Sequence, residues 1–292
     1  MSRISATNDL AFKKVLASVE NTDILGGLIN DFFGIVAENI VIENPYSIEV
    51  YREYLNGEEV SVLRHTAKDV AATFETADFV SEMQVRKTRH FDKRALYYPF
   101  NRYCQNYDRM GAMELGTDGK PSRYSSLRPV YALNFLGEPH YADDDALRIF
   151  ELYDPKRNKS YSKVGKELIR VGFFEYTKPT IETENQRHWR DYFLNGTVAP
   201  NAPDYIKKAG RIIEFVNLSE EERKVSTLLE RAQHERDHEL SGAYHDGRDE
   251  GKAEGITIRN IEIAKTMLQE GEPLDKVARY TGLTLDQIKS LI

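Results

Sequence analysis

The chain has a single cysteine, no long apolar segment and no apolar segment in its first residues. Its 292 residues contain one cysteine, Cys104, which excludes an intrachain disulfide framework and a multi-cysteine zinc site. Because Cys104 lies in a helical, aromatic-rich stretch, we expect a buried and inert thiol. No apolar run reaches the roughly 18 residues that a membrane span requires. The opening residues also lack the apolar stretch of a secretory signal, so we expect a cytoplasmic protein with no membrane partner.

The composition that is present favours a folded protein with a sizeable core. Hydrophobic residues make up 40% of the chain and charged residues 30%, and the length suits one large domain with an appendage or two domains. Apolar residues at helical spacing predict helices over residues 8–18, 22–33 and 90–107. Short apolar runs predict strands over residues 48–54, 129–137 and 147–153. This mixture predicts an α/β fold.

Two runs, 68–74 and 79–85, have the pattern of a β-hairpin with a polar turn between them. If Thr76 and Ala77 form a two-residue loop, Asp69 lies opposite Gln84. Since side chains alternate along a strand, Asp69, Glu82 and Gln84 then share one face. The other face is apolar and suits a core; it carries Val70, Ala72, Phe74, Phe79 and Met83.

The polar face of this hairpin is a candidate metal site. Opposed Cβ atoms in a strand pair lie about 4.5–5.5 Å apart, so Asp69 and Glu82 are near enough to share a divalent cation. Two acids at this distance repel each other unless a cation neutralises them. The alternative is that both acids are solvated on an exposed face and bind nothing. A register slip of one residue would also send them to opposite faces.

A basic stretch follows the hairpin. Residues 86–109 contain seven Lys/Arg and two acidic residues, although the whole chain has a net charge of −7. Whole-chain charge is a poor guide where charge is unevenly distributed. The predicted phosphate-binding residues are Arg86, Lys87, Arg89, Lys93 and Arg94. The alternative for this stretch is an ordinary solvated helix face.

The composition changes after residue 218. Ser219 followed by three glutamates predicts a helix start. Gly247, Gly251 and Gly255 recur every four residues, which suits either close helix contact in a homo-oligomer or a flexible linker. Residues 256–292 have a helix-turn-helix pattern but equal numbers of basic and acidic residues, which favours packing or assembly over DNA reading. The predicted domains are 1–218, 219–255 and 256–292.

The motifs taken together resemble a known family. Asn8-Asp9 with Phe12-Lys13 resembles its opening "ND-x-x-FK" helix, and residues 91–98 resemble its "F-x-KRA-x-YY" helix. Asp69 followed by Glu82-x-Gln84 resembles its acidic motif, and residues 129–135 resemble the strand that comes next. The set resembles the Rpn-type recombination-promoting nucleases, also called PD-(D/E)XK nuclease family transposases.

This resemblance implies a fold, an activity and a site. The fold would be a restriction-endonuclease-like PD-(D/E)XK core with an α-helical C-terminal extension. The activity would be Mg²⁺-dependent DNA endonuclease cleavage linked to recombination or mobile elements. Asp69 and Glu82 would bind the metal, and Gln84 would complete the catalytic set at the position where the wider superfamily usually has lysine. Glutamine cannot neutralise charge, so more would depend on the metal and on nearby arginines. Asp9 and Gln105 would be accessory residues.

One alternative function belongs to a different class. A non-catalytic DNA-binding or assembly protein could retain the nuclease fold, with Asp69 and Glu82 left as relics of an ancestral site. The intact Asp69, Glu82 and Gln84 set favours the nuclease.

Overall fold

The computed structural model describes residues 3–49, 51, 70–86, 88–108, 124, 127–161 and 168–291. The chain divides into two compact units, Met1–Leu229 and Glu230–Ile292. In the part of the chain so described, no helix is long and apolar enough to cross a membrane.

A six-stranded mixed sheet forms the centre of the first unit. Its spatial order is β1 (Val41–Ile42), β2 (Val70–Thr73), β3 (Asp78–Gln84), β4 (Val130–Leu136), β8 (Ile169–Glu175) and β5 (Leu147–Glu151). The three central strands β3, β4 and β8 are parallel. The outer pairs are antiparallel. A separate two-stranded ribbon pairs β6 (Tyr153–Asp154) with β7 (Lys159–Ser160).

Within the described residues, five α-helices with defined ends surround this sheet, and those ends follow from local chemistry. They are α1 (Asp9–Leu16), α2 (Thr22–Phe33), α3 (Phe91–Gln105), α4 (Glu184–Asn195) and α5 (Asp204–Ile212). The side chain of Asn8 caps α1 by accepting from the Leu10 N–H, which satisfies a backbone donor that has no partner within the helix. Gly34 ends α2 in the left-handed conformation, at φ 68°, which glycine adopts without steric cost.

The sheet is buried on both faces, so it has two cores. The larger core collects aromatic rings from α1, α2 and α4 around Phe135 of β4, including Phe12, Phe32 and Phe193. The smaller core lies between the sheet and α3, where Val80 belongs to the same cluster as Phe91 and Ala95. Parallel strands covered on both faces read as continuous apolar runs, and every residue of β4 is buried.

Most of the predicted elements are confirmed, including the helices at 8–18, 22–33 and 90–107 and the strands at 129–137 and 147–153. Two expectations are wrong. Glu49 and Tyr51 are helical rather than extended, and most of the remaining run to residue 54 lies outside the described residues. Cys104 is exposed, because the sheet-facing positions of α3 are Phe91, Ala95, Pro99 and Arg102.

The C-terminal extension is helical, as predicted. It consists of α6 (Glu220–Gln269), α7 (Leu274–Thr281) and α8 (Leu285–Lys289). Gly282 makes the turn between α7 and α8 at φ 70°, and a small core forms around Ala264, Val277 and Ile288. The three spaced glycines lie within α6, so this segment is a helix rather than a flexible linker.

The first turns of α6 belong to the first unit. Ser219 and Glu222 form a capping box, with Ser219 N–H donating to Glu222 Oε2 at 2.8 Å and Glu222 N–H donating to Ser219 Oγ at 3.1 Å. Glu222 also pairs with Lys14 at 2.7 Å. Val225 and Leu229 are buried in the larger core. These contacts stabilise the first unit beyond residue 218.

Candidate functional site

The hairpin β2–β3 forms as predicted, but its register differs by two residues. Val70 pairs with Ser81 and Thr73 pairs with Asp78. The connection is therefore a four-residue loop, closed by Phe74 N–H donating to Ala77 O at 2.9 Å. The predicted two-residue loop at Thr76 and Ala77 was wrong because these residues lack the glycine or asparagine that such tight turns favour.

A shift of two residues leaves every side chain on its predicted face, because the side-chain period of a strand is two. Phe79 is fully buried in the larger core, and Met83 packs against that core. Glu82 and Gln84 alternate with these residues and face α3. Asp69 and Lys87 lie outside the described residues. The register nevertheless brings Val70 opposite Ser81, and these are the sequence neighbours of Asp69 and Glu82.

Glu82 lies in a covered position rather than on an exposed face. Its side chain is 15% exposed, because α3 packs over this side of β3. Its Oε1 pairs with an Arg94 terminal nitrogen at 2.7 Å. Its Oε2 is buried and has no hydrogen-bond partner among the described residues. Asn134 of β4, which is level with Glu82 in the sheet, donates instead to Gly172 O at 3.1 Å.

This environment disfavours the ionised carboxylate. Burial raises the pKa of Glu82, and the positive charge of Arg94 opposes this only in part. A divalent cation beside Oε2 would supply the missing charge and the missing partner, so the residue fits a metal ligand. Among the described residues, no group of three or more His, Cys, Asp or Glu side chains could hold a metal.

Gln84 and Arg94 form the second part of the site. Arg94 donates to Gln84 Oε1 through the same terminal nitrogen that pairs with Glu82. The Gln84 amide nitrogen donates to the carbonyl oxygen of Arg86. Arg94 Nε is buried without a partner among the described residues. The glutamine is thus held at both ends and orients the guanidinium.

A cleft of about 270 Å³ lies at the carboxyl ends of β3 and β4. Its walls include Gln84, Arg86, Phe91 and His140. His140 Nε2 lies 2.8 Å from Asp92 Oδ1. Carboxyl ends of neighbouring parallel strands are the usual place for ligands in open α/β sheets.

Two neighbours of the candidate site were not predicted from the sequence: His140, expected to be structural or exposed, lines the cleft, and Asn134 is level with Glu82 in the sheet. The signal was present, since a strand, a helix and a second strand in succession predict parallel strands whose ends meet at one edge.

The predicted phosphate-binding residues have different surroundings. Arg89 and Lys93 are exposed. Arg86 is exposed but pairs with Glu138 at 2.9 Å. Arg102, also part of the basic stretch, is buried and bound to Asp78, so it is unavailable to a phosphate.

The two accessory residues have surroundings of their own. Asp9 pairs with Lys13 at 3.0 Å and accepts from the Tyr51 hydroxyl at 2.7 Å. Gln105 is exposed at the end of α3, roughly 16 Å along the helix axis from Arg94.

The family model for PD-(D/E)XK nuclease family transposases matches residues 6–243. The chain belongs to this family. The match extends from the cap of α1 through the hairpin, α3 and the central sheet into α6. It confirms the family resemblance drawn from the sequence motifs. No curated protein and no solved structure gave a significant match.

Proposed function

We propose that the chain is a divalent-metal-dependent DNA endonuclease with a restriction-endonuclease-like core, acting in recombination or on mobile elements. The observation that carries this proposal is the state of Glu82. A carboxylate is held by one arginine in a covered pocket, with its second oxygen unpaired among the described residues and its pKa raised. Buried polar groups are normally satisfied, so a buried carboxylate oxygen in this state supports Glu82 as a metal ligand.

The second metal ligand in this proposal is Asp69. Asp69 itself lies outside the described residues. It precedes Val70 in the chain, and the ladder pairs Val70 with Ser81, the residue before Glu82. This neighbourhood of β2 and β3 supports Asp69 as the partner of Glu82.

Each residue then has a defined task. Mg²⁺ at this pair would polarise the scissile phosphate and make a bound water more acidic. Glu82 supplies negative charge from a low-dielectric pocket, where electrostatic interactions are strong. Gln84 holds Arg94 beside Glu82.

DNA would approach from the α3 side of the sheet. Arg89 lies just before α3 and Lys93 lies in its first turn, and both are exposed. Arg94 is the next residue after Lys93. The amino end of a helix also carries partial positive charge. These features support phosphate binding next to the cleft, although the whole chain is acidic.

Plasmid cleavage tests the proposal. We expect the wild type to nick or cut plasmid DNA with Mg²⁺ and to stop when EDTA is added. Asp69→Ala and Glu82→Ala should abolish cleavage while the fold is retained, as judged by circular dichroism. Cleavage that persists in both variants would move the active site elsewhere. DNA binding without any cleavage by the wild type would instead favour the non-catalytic alternative.

We also propose that α6 mediates a homo-oligomer. A Cβ added at Gly247, Gly251 or Gly255 would meet nothing within 4 Å, so this line of α6 is open to another molecule. Leucine at all three positions should block close approach of a second helix and reduce the mass measured by light scattering. Alanine should be tolerated more readily. A monomeric wild type would contradict this proposal.

A further inference from the structure

We infer that Arg94 supplies the positively charged side chain of the cleavage site. When DNA binds, its guanidinium group leaves Glu82 and binds a phosphate of the DNA. This inference rests on the proposed nuclease function and assigns one residue a task within it. The starting observation is that a single terminal nitrogen of Arg94 contacts both Glu82 and Gln84. An arginine fixed at two members of the candidate catalytic set lies where a reacting phosphate would have to bind.

The ion pair between Arg94 and Glu82 is incomplete on both sides. Glu82 Oε2 and Arg94 Nε are each buried without a partner among the described residues. A buried polar atom left without a hydrogen-bond partner lowers stability. An arrangement with one such atom on each partner is poorly stabilised. A cation at Glu82 and a phosphate at Arg94 would satisfy both groups.

Arg94 is also placed to reach the cleft. Its side chain is 36% exposed, against 15% for Glu82. Its guanidinium carbon lies 6.0 Å from the centre of the Phe91 ring, and Phe91 and Gln84 both line the cleft. A small rotation of the side chain away from Glu82 therefore carries the charge toward solvent and DNA.

The exchange also explains the chemistry of position 84. Glutamine is neutral, so it orients Arg94 without competing with it for the phosphate. Because the Gln84 side chain touches the Arg94 guanidinium, a lysine at position 84 would bring its ammonium group to nearly the same point. A cation supplied from β3 should therefore substitute for one supplied from α3.

The test compares Arg94→Gln, Arg94→Lys and the double variant Arg94→Gln with Gln84→Lys. In single-turnover cleavage with Mg²⁺, we expect Arg94→Gln to lose about 100-fold, the cost of removing one transition-state donor. Arg94→Lys should lose less, and the double variant should recover at least tenfold over Arg94→Gln. The matched control is Arg187→Gln, an exposed arginine of α4, which should cleave at the wild-type rate.

Two binding measurements separate this inference from the proposed function. With Ca²⁺ in place of Mg²⁺, fluorescence anisotropy should show weaker DNA binding by Arg94→Gln and a salt slope smaller by about 0.9, the value for one phosphate contact. Calorimetric titration of Arg94→Gln at pH 8 should show Ca²⁺ binding at least as tight as in the wild type. The reason is that the Arg94 side chain no longer competes with Ca²⁺ for Glu82.

Several results would overturn the inference. Cleavage by Arg94→Gln within threefold of the wild type would exclude Arg94 as the site cation. Weaker Ca²⁺ binding by this variant would show that Arg94 only holds Glu82 in place. If the wild type itself does not cleave, the proposed function fails, and an unchanged salt slope in Arg94→Gln would then overturn the inference as well.

Discussion

The contact between β3 and α3 has an arginine–carboxylate pair at each end, and the two pairs differ in how fully their polar atoms are hydrogen-bonded. At one end, Arg102 is 4% exposed and donates to Asp78 at 3.0 Å through Nε. Its two terminal nitrogens bind the carboxylate of Glu43. At the other end, Arg94 binds Glu82 and Gln84 through one nitrogen, and its Nε has no partner among the described residues. We call the Arg102 pair closed, because all three guanidinium nitrogens of Arg102 have acceptors. We call the Arg94 pair open, because Arg94 and Glu82 each keep one buried atom without a partner among the described residues.

Helix and strand geometry places both pairs on one interface. Arg94 and Arg102 are eight residues apart in α3, which is about 12 Å along a helix. Glu82 and Asp78 are four residues apart in β3, which is about 13 Å along a strand. The helix therefore runs alongside the strand in the opposite direction. The two pairs differ in how fully their polar atoms are hydrogen-bonded among the described residues, and burial of an arginine–carboxylate pair does not by itself indicate function.

Breaking the closed pair should have the largest effect on stability. Arg102→Met leaves Asp78 buried and without its cation, a change that costs about 3–5 kcal/mol. Urea denaturation of this variant measures the loss. Arg94→Met is the matched control and should cost less than about 1 kcal/mol, because a partly exposed pair contributes little. Equal losses for the two variants would remove the distinction between the two ends.

Glu222 sharpens the comparison, because it is a covered carboxylate with several donors. Burial would raise its pKa, but hydrogen bonds from Lys14, Ser219 and Tyr46 outweigh this and hold the pKa below its usual range. Glu82, with one arginine, shifts the other way. The number of donors rather than burial decides the direction.

We expect Glu222→Gln to destabilise the protein by about 1–3 kcal/mol at pH 7. A lowered pKa in the folded state gives stability that is present above the ordinary glutamate pKa and lost as pH falls through the lowered value. The difference in free energy of unfolding between wild type and Glu222→Gln, measured by urea denaturation, should therefore shrink as the pH is lowered. A gap that stays constant with pH would contradict the assigned hydrogen bonds.

The smallest effect is expected at Gln84, which orients the open pair without carrying charge. Gln84→Ala frees Arg94 from one of its two anchors, so single-turnover cleavage should fall by about tenfold, less than for either acid, with unchanged thermal stability. Gln84→Lys should retain cleavage. A loss for Gln84→Ala as large as that for Glu82→Ala would make the amide a direct participant in the reaction.

Sequence patterns predicted the faces of the hairpin but not its register. Alternation along β3 depends only on the period of a strand, so the apolar and polar faces could be read from the sequence. Register depends on loop length. The lack of glycine or asparagine at Thr76 and Ala77 disfavours a tight two-residue turn there, but it does not give the length of the loop that forms instead. The family motifs pointed to Glu82 and Gln84 without indicating that α3 covers them.

The remaining differences are tertiary. Arg94 and Arg102 look equivalent in a basic run, and only packing of α3 on β3 separates them. The first turns of α6 read as the start of a charged linker, yet Glu222, Val225 and Leu229 belong to the first unit. A truncation that keeps the core intact should therefore end after Leu229 rather than after Leu218.

The most direct test of the open pair is a calorimetric titration of the DNA-free protein with Mn²⁺, comparing wild type with Glu82→Gln. Glutamine keeps the shape of the side chain and removes its charge. We predict saturable Mn²⁺ binding by the wild type, loss of that binding in Glu82→Gln, and a melting temperature no lower in the variant. Equal Mn²⁺ affinity in the two proteins would contradict the assignment of Glu82 as a metal ligand.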